Sequence, residues 1–464
     1  MRGQMMEVPL LISSLIEHAG RVHGQQEIVS RTLEGPIKRT TWDEIRSRCK
    51  KLAGALEARG IERGDRIGTL AWNTHRHLEA YFALSSMGAI CHTLNPRLHP
   101  SQLAYIVNHA ADRVLFLHST FLPLIEACAE NLKSIDTYVI LGAGENLPDT
   151  KLRNVVAYED LIAEHDGDYD WPELDENEAS ALCYTSGTTG NPKGALYSHR
   201  STILHAYGVA QRDVFNLGQA ATILPIVPMF HASAWGVPYA SAATGAKLVY
   251  PGPRLDPEGL TELFEQEGVT HCAGVPSVFI PLVEYWREQG GTRPESLELM
   301  VIGGSAPPRS LIEAIDGEFG IEFRHAWGMT EMSPLGTANV LSADELTKPV
   351  EVRSGFHAKQ GQPPFGVELR IVDENGGELP SDGEAFGELQ VRGPWIVDGY
   401  FADDSGQLTK DGWFPTGDVA TIDERHRMQV TDRTKDLIKS GASGSARSIL
   451  RMRLWAILGS RWQE

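Results

Sequence analysis

The chain has 464 residues, of which 42% are hydrophobic and 22% charged, as in ordinary globular proteins of two or three domains. The net charge of −19 argues against a nucleic-acid-binding protein, which would need a basic face. Five dispersed cysteines without CxxC spacing argue against a disulfide framework or a zinc site, and they fit a reducing cytoplasm. Residues 1–20 predict an amphipathic helix rather than a signal peptide, and no stretch predicts a membrane-spanning helix.

Helix and strand patterns alternate through the first part of the chain. Residues 41–60 predict a helix, because apolar residues recur at helical spacing, Thr41 and Glu44 match a capping box, and Gly60 ends the pattern. Strand, helix, strand, helix and strand patterns then follow at residues 64–73, 74–88, 89–96, 99–110 and 113–118. This alternation predicts an α/β fold of doubly wound, mostly parallel sheets.

The composition changes after about residue 345. Residues 361–400 contain short strand patterns separated by Gly, Pro, Asn and Asp, and DENGG at residues 373–377 is a hairpin signal. A small antiparallel β unit is predicted there. The predicted domains are a first α/β subdomain (1–170), a second α/β subdomain with a phosphate loop (171–345), a small β subdomain (346–431), and a hinge with a C-terminal tail (432–464).

The most informative motif is TSGTTGNPKG at residues 185–194, directly after the apolar run at residues 181–184. Backbone N–H groups of small residues can form an anion nest, while hydroxyls and Lys193 add donors and charge. The nucleotide-binding P-loop pattern is not met, because Asn191 and Pro192 follow Gly190. A flexible surface turn would explain the glycines but not the ordered string, so the motif predicts a phosphate-binding loop.

The string YTSGTTGNPKGALYSHR resembles the phosphate-binding signature of the AMP-forming adenylating enzymes, which include acyl-CoA synthetases, firefly luciferase and adenylation domains of peptide synthetases. Further family motifs match in the same order: PMFHASAW (228–235), GGSAPP (303–308), HAWGMTE (325–331), GWFPTGD (412–418) and VTDRTKDLIKSG (430–441). The resemblance covers residues from about 10 to 441. Residues 70–98 are most similar to medium-chain fatty-acyl-CoA and 3-methylthiopropionate–CoA ligases.

This resemblance implies a large adenylation domain and a two-step reaction. A carboxylate attacks the α-phosphorus of ATP, and CoA then displaces AMP from the acyl-adenylate. The implied substrates are ATP, CoA and a short- to medium-chain fatty acid or 3-methylthiopropionate, with Mg²⁺ as the metal. A homodimer is possible. Two alternatives stay open: a non-catalytic nucleotide- or acyl-binding remnant, and an adenylation module that passes the acyl group to a carrier.

The resemblance also implies roles for particular residues. The expected phosphate ligands are Thr185, Ser186, Gly187, Thr188, Thr189, Gly190 and Lys193. The expected Mg²⁺ ligands are Thr185 and Glu331. Further nucleotide contacts are expected from Gly303, Gly304, Ser305, His325, Ala326, Trp327, Gly328, Met329, Thr330, Asp418, Val430 and Arg433. The acid is expected to contact His231, Trp235, Gly303, Met332 and Pro334, and we also expect Val209 and Val237 to border the acyl pocket. Catalytic roles are implied for His231, Thr330, Glu331 and Lys439, and a hinge role for Lys435.

The sequence after residue 441 no longer resembles the family. Residues 441–458 can be written in a chosen set of synonymous codons. When these codons are read in another frame, from the last base of the first codon, they encode GEWISSIDLENAAMGHP, which is how the family continues. The tail is therefore predicted to be frameshifted, with the mobile C-terminal α+β domain absent and thioester formation impaired.

Overall fold

The computed structural model describes residue 1 and residues 3–185 and 191–433. The strands are β1 (Glu27–Arg31), β2 (Ile37–Thr41), β3 (Arg66–Leu70), β4 (Ile90–Thr93), β5 (Val114–Leu117), β6 (Thr137–Ile140), β7 (Val155–Ala157), β8 (Ala179–Tyr184), β9 (Gly194–Ser198), β10 (Thr222–Pro225), β11 (Lys247–Tyr250), β12 (His271–Gly274), β13 (Leu299–Ile302), β14 (Glu322–Gly328), β15 (Leu335–Ala338), β16 (Glu368–Val372), β17 (Phe386–Arg392), β18 (Phe414–Ile422) and β19 (Met428–Arg433).

The helices are α1 (Ile12–Val22), α2 (Trp42–Ala58), α3 (His75–Ser86), α4 (Pro100–Ala110), α5 (Leu122–Glu126), α6 (Tyr158–Ala163), α7 (His199–Ala210), α8 (Val237–Thr244), α9 (Pro257–Glu267), α10 (Pro276–Glu288), α11 (Arg309–Ile312), α12 (Ala343–Leu346) and α13 (Val350–His357). In the part of the chain that the structure describes, none of them has the length and apolar character that crossing a membrane requires.

The predicted alternation between residues 41 and 118 is confirmed as α2, β3, α3, β4, α4 and β5. The capping box at α2 forms by half. The Thr41 side chain accepts the N–H of Glu44, but the Glu44 carboxylate accepts the hydroxyl of Thr40, at 2.6 Å. The start of the helix was thus predictable from the sequence, although the Glu44 side chain bonds to Thr40 and not to the backbone of Thr41.

The first large sheet has seven strands in the order β7-β6-β5-β3-β4-β8-β9. Neighbouring strands are parallel, except that β8 and β9 are antiparallel and enclose the predicted phosphate loop. The backbone N–H of Thr185 donates to the carbonyl of Lys193 at 2.8 Å, which closes the base of this loop. Because β8 and β9 belong to the same sheet as β3–β7, residue 170 does not mark a boundary between sheets, and the domain ranges stay a prediction.

The second large sheet has eight strands in the order β15-β14-β13-β12-β10-β11-β1-β2, with antiparallel strands only at its two ends. The inner strands β1 and β10–β13 alternate side chains between two cores, as a strand buried on both faces must. In β13, Leu299 and Val301 face the core shared with the first sheet, whereas Met300 and Ile302 pack with α9 and α10. Helices α2, α3 and α8 lie in the shared core.

The small antiparallel β unit is confirmed as a four-stranded sheet, β16-β17-β18-β19. The predicted DENGG turn is present, because the N–H of Asp373 bonds to the carbonyl of Gly377 at 2.9 Å and Val372 pairs with Glu378. Its apolar core includes Trp395, at 4% exposure, which donates to the carbonyl of Leu335. This contact fastens the β unit to the edge of the eight-stranded sheet.

Candidate active site

A cavity of about 70 Å³ lies at the carboxyl ends of strands in the eight-stranded sheet. Ligands of open α/β sheets commonly bind at this edge, because the loops that follow parallel strands converge there. The cavity is bounded by the segment after β10, the segment after β13, and the end of β14. Its lining residues are Val209, Phe215, His231, Ala232, Trp235, Gly303, Gly304, Ala326, Trp327, Gly328, Met329, Thr330, Pro334 and Leu335.

His231 and Trp235 enter the cavity from a left-handed turn. Four consecutive non-glycine residues, 232–235, have φ between 42° and 55°, and the turn spans Ala232–Gly236. An α-helix would place the His231 and Trp235 side chains on one face, but this segment is not α-helical. Both side chains nevertheless line one cavity. L-residues rarely adopt this conformation, which costs about 1–2 kcal/mol per residue, so surrounding contacts must hold the turn.

Those contacts come from the seven-stranded sheet. Asn73, just after β3, donates to the carbonyls of Pro225 and Val227 at 3.0 and 2.9 Å, and it accepts the N–H of Met229 at 2.7 Å. Cys183 in β8 accepts the N–H of Ala232 at 3.4 Å. Strands of one sheet thus position the loop of the other, directly beside the phosphate loop.

His205 on α7 supports the same wall from behind. Its Nε2 accepts the N–H of Leu335 at 3.1 Å. A Cβ on Gly236 would lie 2.6 Å from the His205 ring, so glycine is needed for the close approach. Burial lowers the pKa of His205 to about 3, and the ring is therefore neutral and suited to accept a hydrogen bond.

His231 is open to solvent through the cavity mouth but is crowded by protein atoms on its other sides. This desolvation lowers its pKa, and the positive charge of Arg97 adds to the effect. His231 is accordingly neutral at neutral pH and places no full positive charge in the cavity.

Two glycines after β13 let the opposite wall approach closely. A Cβ on Gly303 would lie 2.8 Å from the carbonyl oxygen of Ala326 and 3.0 Å from the ring of Trp235. Gly304 has φ of +76°, a conformation that L-residues rarely adopt. The cavity therefore has the flat, narrow form that a planar group can enter.

Trp327 in β14 forms a further wall. Its indole N–H donates to Asp418 Oδ2 at 3.2 Å, and Asp418 is buried in β18. A Cβ on Gly336 would lie 2.5 Å from the Trp327 ring, so the indole packs directly on the backbone of this glycine. Arg433 is opposite Asp418 in the strand register. The β unit thereby contributes an acid to the rim of the cavity.

Tyr400 lies between Glu331 and Lys193, next to this cavity, and contacts both of them. The Tyr400 hydroxyl donates to Glu331 Oε1 at 2.6 Å, and Lys193 Nζ lies 4.6 Å from the centre of the Tyr400 ring. Lys193 also pairs with Asp403 at 3.3 Å. The neighbouring Thr330 carbonyl accepts the Tyr197 hydroxyl at 2.5 Å. A buried acid and a cation are thus held next to the base of the phosphate loop.

Most of the predicted site residues that the structure describes lie together. Those that line the cavity are His231, Trp235, Gly303, Gly304, Ala326, Trp327, Gly328, Met329, Thr330 and Pro334. Asp418 reaches the cavity wall through Trp327, and Glu331 directly follows Thr330. Lys193 is connected to Glu331 through Tyr400, and Thr185 is bonded to Lys193. The predicted residues outside the described part of the chain are Ser186, Gly187, Thr188, Thr189, Gly190, Lys435 and Lys439, together with the whole predicted frameshift.

Five residues with a predicted site role lie elsewhere. Ser305 is exposed beyond the glycine pair, and His325 is buried behind the wall, its pKa lowered to about 4 by burial. Met332 packs in the core of the β unit. The N–H of Val430 donates to Gln360 at 2.7 Å. Val209 lines the cavity, whereas Val237 is in the core behind it.

Sequence reasoning missed Asn73, Phe215, Leu335, His205 and Tyr400. A polar residue just after a buried parallel strand was a usable signal for Asn73. The other four follow from distant pairings that no local pattern reports.

The fold and the site together are those of an adenylating enzyme of the α/β class. The structure aligns with that of the anthranilate CoA ligase AuaEII in complex with anthranoyl-AMP, with a TM-score of 0.81 at 22% identity over 95% of this chain and 81% of that one. This likeness confirms the predicted fold class.

The AMP-binding enzyme family matches residues 16–401, and the chain belongs to this family. A 3-methylmercaptopropionyl-CoA ligase of Ruegeria lacuscaerulensis is 50% identical over 441 residues, which are 95% of this chain and 82% of the relative. A medium-chain-fatty-acid–CoA ligase of Ectopseudomonas oleovorans is 48% identical, with coverage of 95% and 81%.

Proposed function

We propose that the protein activates a carboxylic acid by AMP-forming adenylation and transfers the acyl group to CoA. The acid is a medium-chain fatty acid or 3-methylthiopropionate (3-methylmercaptopropionate), in line with the two relatives of about half identity. The observation that carries the proposal is a cavity lined by a neutral His231, the Trp327 indole and Thr330. The next residue, Glu331, is connected through Tyr400 to Lys193 at the base of the phosphate loop.

The nucleotide would lie along the glycine wall. Trp327 stacks on adenine, and Asp418 with Arg433 holds the ribose hydroxyls. Thr185, Lys193 and residues 186–190 hold the β- and γ-phosphates, because an amide nest with one lysine suits a polyanion. Thr330 contacts the α-phosphate, where the reaction occurs. The other predicted roles, those of Lys435 and Lys439, stay predictions outside the described residues.

Glu331 and Thr185 suit Mg²⁺ as ligands. Glu331 Oε1 accepts the Tyr400 hydroxyl, and no hydrogen bond to Glu331 Oε2 occurs among the described residues. The described chain has no group of three or more His, Cys, Asp or Glu side chains that could hold a metal ion. That fits Mg²⁺, which takes one or two protein oxygens and completes its shell with phosphate and water. Bound there, the ion would neutralise phosphate charge.

The residues lower the barrier mainly by alignment and charge. An anionic carboxylate must approach an anionic phosphate, so Lys193 and the amide nest offset the repulsion. His231 lies beside the carboxylate as a neutral hydrogen-bond donor. Because its pKa is lowered, its ring does not become a cation that would pair with the carboxylate of the acid. Trp235 and the glycine pair close the cavity against water.

The acyl group would occupy the apolar end of the cavity. Val209, Phe215, Trp235 and Leu335 line this end, and apolar side chains of this kind suit the hydrocarbon part of an acid.

The test measures pyrophosphate release and CoA-thioester formation separately, over short, medium, branched, aromatic and methylthio acids. We expect pyrophosphate release to depend on the acid and to be fastest with medium-chain acids or 3-methylthiopropionate. Glu331→Gln should lower the rate at least about a hundredfold, since it removes the anionic ligand that would hold Mg²⁺ against the phosphates. Glu424→Gln, at an exposed site, is the matched control. Acid-independent ATP cleavage would contradict the proposal.

We further propose a cytoplasmic location and leave a homodimer as a possibility for sedimentation measurements. All five cysteines are buried as free thiols, which suits a reducing compartment.

A further inference from the structure

The segment of residues 397–403, here called the bridging segment, connects the two charged sides of the site. At one end, the N–H of Val397 donates to the carbonyl of Glu331 at 2.9 Å. Towards the other end, the N–H of Phe401 donates to the carbonyl of Gly194 at 2.8 Å, next to Lys193. The bridging segment is thus fixed to the turn that carries the acid and to the strand that follows the phosphate loop.

Tyr400 lies between these two anchors and uses both parts of its side chain. The hydroxyl donates to Glu331 Oε1 at 2.6 Å, and the ring faces Lys193 Nζ at 4.6 Å.

The two contacts differ in what they allow. The short hydrogen bond fixes one oxygen of Glu331 and leaves Oε2 for a metal ion. The ring attracts the Lys193 ammonium without a directed hydrogen bond, so this contact uses none of its protons. The protons that Lys193 does not donate to Asp403 stay available to phosphate.

We propose that Tyr400 is a positioning residue for adenylation: its hydroxyl orients the Glu331 carboxylate towards Mg²⁺, and its ring keeps Lys193 at the phosphate loop. The proposal rests on the proposed function, because it assigns Glu331 to the metal and Lys193 to the phosphates. Tyr400 itself touches neither the acid nor the nucleotide in this assignment.

A simple packing role predicts something different. Tyr400 also lies edge-on to Phe414, with ring centres 6.3 Å apart, so removal of the ring would disturb the β unit. Tyr400→Phe keeps the ring, its packing and its contact with Lys193, and it removes only the hydroxyl. The hydroxyl's effect on metal dependence can therefore be measured separately from folding.

The experiment compares wild type, Tyr400→Phe and Tyr400→Leu, with Tyr207→Phe as control because Tyr207 is 56% exposed on α7. Calorimetry measures ATP affinity with and without Mg²⁺, and pyrophosphate release is measured against Mg²⁺ concentration. Tyr400→Phe should raise the half-activating Mg²⁺ concentration about tenfold, which is typical for loss of a hydrogen bond to a charged group. Its affinity for metal-free ATP should be unchanged.

Tyr400→Leu should additionally weaken metal-free ATP binding, because the ring beside Lys193 is lost. If Tyr400→Phe matches wild type and Tyr207→Phe in Mg²⁺ dependence, the positioning role is wrong. Equal losses with and without Mg²⁺ in Tyr400→Phe would likewise overturn it, as they indicate packing. Absence of acid-dependent pyrophosphate release in wild type would instead refute the proposed function itself.

Discussion

Gly303 is the position where the least added volume should disturb the site most. A methyl group there would lie 2.8 Å from the carbonyl oxygen of Ala326 and 3.0 Å from Trp235. The carbonyl belongs to β14, which pairs with β13 just before Gly303, so the backbone has little room to move. Overpacking of this kind costs about 1–3 kcal/mol in the free energy of unfolding.

The Trp235 indole is the more movable neighbour, and its displacement would narrow the cavity. We expect Gly303→Ala to raise the KM for the acid about tenfold or more, since one methylene in an apolar pocket is worth about 1–3 kcal/mol. The increase should be larger for longer acids.

Urea unfolding and pyrophosphate-release kinetics measure the two effects. Gly355→Ala is the matched control, because nothing lies within 4 Å of its added methyl group and its helix α13 is exposed there. That control should be neutral or stabilising by about 0.4–1 kcal/mol. Wild-type stability and KM in Gly303→Ala would refute the close approach of the two walls.

Three further predictions follow from contacts around the site. Asp403→Asn should strengthen ATP binding, measured by calorimetry, by up to about fivefold. The reason is that the half-exposed ion pair between Asp403 and Lys193, worth about 0–1 kcal/mol, no longer competes with phosphate for the lysine. Weaker binding would contradict this. Arg427→Met should lower the free energy of unfolding by about 1–3 kcal/mol, because Glu345 loses its buried cation and keeps only the exposed Arg425 and Ser342. Arg425→Met at a 54% exposed site should cost under about 1 kcal/mol, and equal losses would be inconsistent with the buried pair. The free energy of unfolding should fall as the pH is lowered from 6.5 to 5, because burial lowers the pKa of His77, His199 and His271 to about 4. In this range these rings take up protons only on unfolding, which costs up to about 1.4 kcal/mol per pH unit for each. A urea midpoint that does not change over this range would exclude the effect.

The sequence predicted much of the fold because its signals are local. The helix α2 has a cap, an apolar stripe and a final glycine, and the DENGG turn has its own hydrogen bonds. The pairing of β1 with β11 is different, because Ile28 and Leu248 are brought together by tertiary packing alone. The division between the sheets could not be predicted for the same reason.

The site shows the same limit. The glycine pair could be located from the motif GGSAPP of the family that the sequence resembles, and it lines the cavity. The phosphate-binding role of the loop stays a prediction. The left-handed turn at residues 232–235 was not predictable, because alanine, serine and tryptophan carry no local preference for it. Contacts from the other sheet hold this segment, through Asn73 at Met229 and Cys183 at Ala232. Tyr400 reaches Glu331 from 69 residues further along the chain, which no local pattern reports.

Oxygen transfer from the acid to AMP tests the central claim most directly. A carboxylic acid labelled with ¹⁸O on both oxygens is incubated with enzyme, ATP and Mg²⁺, and hydroxylamine cleaves the activated acid so that CoA is not required. If the carboxylate attacks the α-phosphorus, mass spectrometry will find one ¹⁸O in each AMP and none in pyrophosphate. Unlabelled AMP, or label in phosphate or pyrophosphate, would contradict adenylation at this site.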